Sequence, residues 1–235
     1  NLLIGQRPFE VTGVGYEPKG DIRDQHGVVL SSEQLASYRL FFENGVFASN
    51  ASINSPDAEH RTWYSVGDPT EAALITLASK AGISRSEIEQ NFQELKEFTF
   101  DAGRKRMSSI RPCGTAYRLY AKGSPQSLLA CCTKIWDGNA VRQMTEEDRR
   151  FIVSKVDEYA TKALRNLGFA YRDLERFDPA VTIEEAEQDL IWLGLVSMMD
   201  PPRPEVREAI EVALKAKIRV IIITGDYALT AKAIA

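Results

Sequence analysis

Residues 96–125 read KEFTFDAGRKRMSSIRPCGTAYRLYAKGSP. Three short apolar and aromatic segments, Lys96–Phe100, Met107–Arg111 and Tyr117–Ala121, are separated by turn-forming clusters and read as strands. Asp101-Ala-Gly-Arg-Lys-Arg106 is the charged turn between the first two. Ser124-Pro125 then opens a short helix running into Cys131. Alternation along the first strand puts Phe98 and Phe100 on the same face, with Arg104, Lys105 and Arg106 close behind Phe100.

Working outward, the same mixture recurs on both sides. Upstream, Phe9–Tyr16 alternates before the turn chemistry of Glu17-Pro-Lys-Gly20. Ser32 caps a helix carrying Leu35, Leu40, Phe41 and Phe42. A second helix opens at Gly67-Asp-Pro-Thr-Glu71, where Asp68 fits the cap, Pro69 the first turn and Glu71 the third position of a capping box. Downstream, Thr145 caps a helix with Ile152, Val156, Tyr159, Ala160 and Ala163 on one face. Strands are expected at Gly168–Tyr171 and Trp192–Met198, separated by the acidic segment Thr182–Asp189.

The character changes at Asp200-Pro-Pro-Arg203, where two adjacent prolines give a stiff, extended joint. A helix over Glu205–Ala216, an all-apolar strand over Val220–Ile223 and a helix after Asp226 follow. A strand apolar on both faces is the pattern of a parallel sheet covered by helices. The expected fold is therefore α/β. A twisted antiparallel sheet flanked by helices spans residues 1–198, and a βαβ remnant of a parallel sheet spans 199–235.

The bulk composition fits an ordinary globular protein: 235 residues, 44% apolar and 26% charged. A net charge of −4 argues against general nucleic-acid affinity, which needs a basic excess. Cys113, Cys131 and Cys132 are an odd set with two neighbours adjacent, which reads as reduced thiols and not a disulfide framework. His26 and His60 have no metal-ligand spacing. No segment approaches the roughly 18–20 apolar residues of a membrane helix, and no signal peptide is evident.

Three places could carry chemistry. Thr224-Gly-Asp226 follows a buried-type strand and precedes a helix, the edge at which α/β folds bind ligands. A hydroxyl and backbone N–H groups there suit a phosphoryl oxygen, although a plain βα turn with a capping Asp reads equally naturally. Lys122 and Gly123 end a strand, offering a mobile cation and room for a planar ligand, or simply a solvated lysine before a turn. Phe100 beside its basic turn suits an adenine ring with phosphates nearby, or is a core phenylalanine. Neither a phosphate loop of the Gly-Lys-Ser/Thr type nor a complete dinucleotide glycine fingerprint is present.

The stretches gain meaning in combination. In order they are Gly-Asp-Pro-Thr-Glu-Ala-Ala-Leu (67–74), Phe-Asp-Ala-Gly-Arg-Lys-Arg-Met-Ser (100–108), Lys-Gly-Ser-Pro (122–125), Leu-Arg-Asn-Leu (164–167), Met-Asp-Pro-Pro-Arg-Pro (199–204) and Ile-Thr-Gly-Asp (223–226). This succession resembles the P-type cation-transporting ATPases across the whole chain, from the nucleotide-binding domain (1–198) into part of the haloacid-dehalogenase-like phosphorylation domain (199–235). Within that family it is more similar to the type II calcium and sodium–potassium pumps than to heavy-metal pumps, which lack the Phe-to-Met-Ser segment with Lys-Gly-Ser-Pro.

The resemblance implies a role for each residue. Phe100 would stack on adenine and Glu71 would bond its amino group. Lys122 would lie deep in the pocket with Gly123 in the wall and Met107 lining it. Lys105 and Arg165 would steady the phosphates, and Leu167 would pack on base or ribose. Asp200 and Arg203 would border the nucleotide. Thr224 and Gly225 would grip the transferred phosphoryl group, and Asp226 would order the site around magnesium and ribose. ATP and Mg2+ are the implied cofactors, and the rest of a membrane pump, on its cytoplasmic face, the implied partner.

The family's Asp-Lys-Thr-Gly-Thr phosphorylation motif and Gly-Asp-Gly-x-Asn-Asp magnesium motif are absent from these residues. The expectation is thus a chain that binds nucleotide without forming the aspartyl-phosphate. Two other readings are a stand-alone nucleotide-binding module and a haloacid-dehalogenase-type phosphatase with a large cap. The phosphatase has no need of the Phe100 and Lys122 constellation. The transported ion is not written here, since ion ligands of such pumps lie in membrane helices.

Overall fold

The computed structural model describes residues 1–199, 204–225 and 227–234. Its elements begin with β1 (Leu2–Ile4), β2 (Arg7–Val11), β3 (Ile22–Asp24), α1 (Ser32–Ser37), α2 (Arg39–Phe47), β4 (Ser52–Asn54), β5 (Tyr64–Val66), α3 (Pro69–Lys80) and α4 (Arg85–Asn91). The middle comprises β6 (Lys96–Asp101), β7 (Arg106–Cys113), β8 (Ala116–Gly123), α5 (Pro125–Cys131), β9 (Cys132–Trp136), β10 (Val141–Gln143) and α6 (Glu146–Ala160). Then come β11 (Arg165–Leu174), α7 (Ile183–Ala186), β12 (Leu190–Met198), α8 (Pro204–Lys215) and α9 (Ala228–Ile234).

Ten strands form one sheet with the path β3-β2-β1-β12-β11-β8-β7-β6, and β9 joins β12 and carries β10. Every pairing is antiparallel except β12 with β9. The three expected strands of residues 96–125 are thus the β6-β7-β8 meander. The chain is mixed α/β, with a large antiparallel sheet flanked by helices.

Two cores lie on the two faces. On one, Phe41, Phe42 and Phe47 of α2 and Leu74 and Leu77 of α3 meet Tyr120 and Phe169. On the other, Leu128 of α5 and Ile152 and Val156 of α6 meet Leu119, Ala121, Ala170 and Trp192. Neighbours in sequence therefore enter opposite cores, as a period of two demands. Along β12 the phase switches, since Ile191 and Leu193 join the first core and so does Val196. The register shift against β11 between Phe169 and Ala170 supplies the extra residue. Gly194 sits at this bulge with φ 154°, and a Cβ there would lie 2.0 Å from the Leu3 carbonyl oxygen.

Several expectations need correction. The first helix is capped by Ser31 and not Ser32, in a capping box with Gln34, and it breaks at Tyr38 into α1 and α2. Asp68 caps α3 by accepting from the Thr70 and Glu71 amides, with Pro69 in the first turn, yet Glu71 does not complete a capping box. Its carboxylate accepts from the backbone of Asn50 and Ala51 and from Lys122, where two amides and a cation outcompete one amide at the helix start.

The tail differs as well. Val220–Ile223 forms no strand and is exposed. A parallel strand needs sheet partners and helical cover, and among the described residues it has neither. The helices on either side do form, as α8 and α9. Among the described residues, no helix is long and apolar enough to cross a membrane.

Candidate functional site

One end of the sheet opens into a cavity of about 1080 Å³, built where β6, β8 and α5, β7 and β11 start or stop. Phe100, Lys105, Met107, Lys122, Gly123, Arg165, Leu167 and Gly225 all line it. These residues come from four separate strands, a turn and the tail, so sequence proximity does not explain their convergence.

Phe100 owes its place to an irregularity. The register passes from Phe98↔Ser108 to Asp101↔Arg106, so β6 carries one residue more than β7 over this step. Such a bulge breaks alternation and re-aims a side chain. Phe98 is consequently buried in the second core, while Phe100 is 62% exposed at the cavity. The expectation that the two share one face is therefore overturned.

Lys122 is buried against the cavity wall, its Nζ donating to Glu71 Oε1 at 2.8 Å and to Ser49 Oγ at 2.8 Å. Burial pulls its ammonium below the ordinary lysine range, and the Glu71 carboxylate opposes that shift. Glu71 itself lies behind Lys122 and does not line the cavity, although it anchors the lysine that does. Met107, opposite Lys122 in the ladder, is buried.

Gly123 is required by the protein's own packing. A Cβ there would lie 2.4 Å from Arg106 Cβ and 2.5 Å from the Lys105 carbonyl oxygen. That same carbonyl accepts from the Ser124 amide at 2.8 Å. Lys105 takes a left-handed φ of 52° at the tip of the β6–β7 turn, a conformation that costs a non-glycine residue about 1 kcal/mol or more.

Arg165 Nη1 donates to Thr70 Oγ1 at 3.2 Å, linking the start of β11 to the start of α3. Behind it, Tyr227 Oη donates to Asp157 at 2.7 Å and Thr230 Oγ1 to the Leu164 carbonyl at 3.1 Å. These bonds tie the residue before α9 to α6 and α9 itself to the α6–β11 connection, and Gly225, Tyr227 and Ala228 line the cavity beside them. Thr224 is adjacent and exposed. Asp200, Arg203 and Asp226 lie outside the described residues.

Sequence reasoning missed Arg104 and Arg106 as structured groups, together with Ser127 of α5, all of which line the cavity. It read the basic turn as cations available to phosphates. The signal available was a buried acidic partner in the segment 182–189, which periodicity alone does not reveal. Among the described residues, no cluster of three or more His, Cys, Asp or Glu side chains could hold a metal ion.

The family model described as P-type ATPase, cytoplasmic domain N, matches residues 37–205. A calcium-transporting ATPase of Bacillus subtilis is 35% identical over all of this chain, which covers 26% of that protein. The cation-transporting ATPase pma1 of Synechocystis is 36% identical over the whole chain and is likewise covered to 26%. A sodium/potassium exporting P-type ATPase of Saccharomyces cerevisiae is 31% identical over 84% of this chain, 21% of its own length. The chain thus spans about a quarter of the length of these relatives. By the matched domain and by similarity to such pumps along the length of this chain, the chain belongs to the P-type ATPases and covers their cytoplasmic domain N.

Proposed function

We propose that the cavity binds ATP, and that in a longer pump this domain carries the nucleotide to an aspartate whose phosphorylation drives cation transport across a membrane. The observation that carries the reading is the convergence of Phe100, Met107, Lys122, Lys105, Arg165 and Leu167 on one cavity. Such a set combines an exposed ring for stacking with cations for phosphates.

Phe100 offers its face to adenine, and Leu167 and Met107 supply apolar walls. Lys122, held in place by Glu71 from behind the wall, marks the deep end of the pocket. Lys105 and Arg165 steady the triphosphate. Thr224 and Gly225, with Asp226, Asp200 and Arg203, would serve the phosphoryl end, in a phosphorylation-domain segment that begins at residue 199 after a nucleotide-binding domain of residues 1–198. Mg2+ would enter with the phosphates and neutralise charge on them. The domain would work on the cytoplasmic side, with the remainder of the pump as its partner.

The test is an amide-detected NMR titration with ATP, ADP and GTP, with and without magnesium. Saturable shifts for adenine nucleotides centred on Phe100, Lys122 and Arg165 are expected. A well-folded chain with no saturable shifts at millimolar nucleotide would refute the assignment.

A further inference from the structure

Glu187 is 3% exposed and stands at the C-terminal end of α7, in a segment that takes no part in the cavity wall. Its carboxylate nevertheless reaches the basic turn. Arg104 Nη1 donates to both oxygens at 2.7 Å, Arg106 Nε donates at 2.6 Å and Ser108 Oγ at 2.8 Å. Residues 104, 106 and 108 are therefore gathered onto one buried anion at the edge of the cavity, which Arg104 and Arg106 line together with the intervening Lys105 and Met107.

The rest of the turn is stapled around this centre. Arg104 Nη2 donates to the Thr99 carbonyl at 2.7 Å, and Arg106 Nη1 to Ser127 Oγ at 2.8 Å. Ser127 Oγ in turn donates to the Arg104 carbonyl. Charge-assisted bonds to a desolvated carboxylate are the strongest of these links. They fix a turn whose tip residue, Lys105, holds a left-handed backbone, a conformation that persists only where its surroundings over-determine it.

We propose that Glu187 is a positioning residue for phosphate binding: by clamping Arg104, Arg106 and Ser108 it fixes the Lys105 tip toward the phosphate end of the cavity. It also neutralises two guanidinium groups that would otherwise compete with Lys105 for the polyphosphate. This role rests on the nucleotide reading above, and it assigns Glu187 no contact with the nucleotide.

The experiment compares ATP and adenosine in NMR titrations of the wild-type chain and Glu187→Gln. The substitution keeps the shape and removes the charge. We expect ATP affinity to fall about tenfold, equivalent to about 1.4 kcal/mol, with adenosine affinity unchanged and the Lys105 amide shifted in the free protein. A merely structural role would weaken both ligands alike. Equal ATP affinities for wild type and variant would overturn the role of Glu187 while leaving the nucleotide site intact. Failure of the wild-type chain to bind ATP would remove the site itself.

Should Glu187→Gln not fold, Ser108→Ala removes one donor and leaves the carboxylate paired with both arginines. About a threefold loss of ATP affinity with adenosine unaffected is expected there, and no loss would overturn the proposal.

Discussion

Lys122 Nζ lies 2.8 Å from Glu71 Oε1, so the end of β8 and the first turn of α3 are joined by an ion pair at the cavity wall. The partners are not equivalent. Glu71 keeps the Asn50 and Ala51 amides if Lys122 is lost, whereas Lys122 keeps only Ser49 Oγ if Glu71 is lost.

Glu71→Gln should therefore destabilise the chain by about 3 kcal/mol, because a buried cation is left without its anion. Lys122→Met should cost about 1 kcal/mol. The folded-state shift of Lys122 is downward from 10.5, so the unfolded chain holds its proton more tightly and stability rises with pH through that window. Loss of Glu71 widens the window, and part of the Glu71→Gln deficit should recover between about pH 7 and pH 10. Urea unfolding of both variants at the two pH values measures this, and equal costs would contradict the asymmetry.

Phe100→Ala isolates the adenine contact. The ring is 62% exposed, and its truncation should leave the unfolding midpoint unchanged within about 0.5 kcal/mol. Affinity for ATP should drop by about 1–3 kcal/mol, the usual worth of base–aromatic stacking. Calorimetric titration beside a thermal melt separates the two effects.

These residues also mark the limit of what the chain discloses before folding. The β6-β7-β8 meander and the Asp68 and Thr145 caps were legible because strand patterns and cap chemistry are local. So was the cavity set, but only through the order of six short stretches. Bulges were not legible. One extra residue in β6 separates Phe98 from Phe100, and one near Gly194 swaps the faces of β12. Glu187 was hidden for a related reason, since it meets Arg104 across 83 residues and no local pattern encodes that pairing. Val220–Ile223 carried a sound strand pattern whose pairing partners are not among the described residues.

Gly123→Ala tests whether that glycine serves the ligand or the protein. The added Cβ would press on Arg106 Cβ and on backbone atoms of Lys105 and Arg106. Backbone cannot swing aside as a side-chain end can, so a cost of about 2 kcal/mol or more in the free protein is expected. A melting midpoint equal to wild type, with only nucleotide affinity reduced, would instead assign Gly123 to ligand clearance alone.

Acid sensitivity should concentrate at Asp148, which does not line the cavity. Its carboxylate accepts from Gln6 Nε2, from both Nη atoms of Arg142, and from the backbone and hydroxyl of Thr145. It thereby closes the capping box of α6 and ties β10 and the β1–β2 turn to that helix. The Arg142 guanidinium foremost, with the Thr145 donors assisting, holds the carboxyl well below its ordinary 3.8 despite burial. The unfolded chain then takes up this proton first, so the stabilisation is complete above about pH 5 and is lost as pH falls through 3.8 toward the folded-state value. Asp148→Asn removes the charge at every pH. It should cost about 2 kcal/mol at pH 7 and flatten the decline of the melting midpoint below pH 4. Parallel declines for wild type and Asp148→Asn would place the acid-labile group elsewhere.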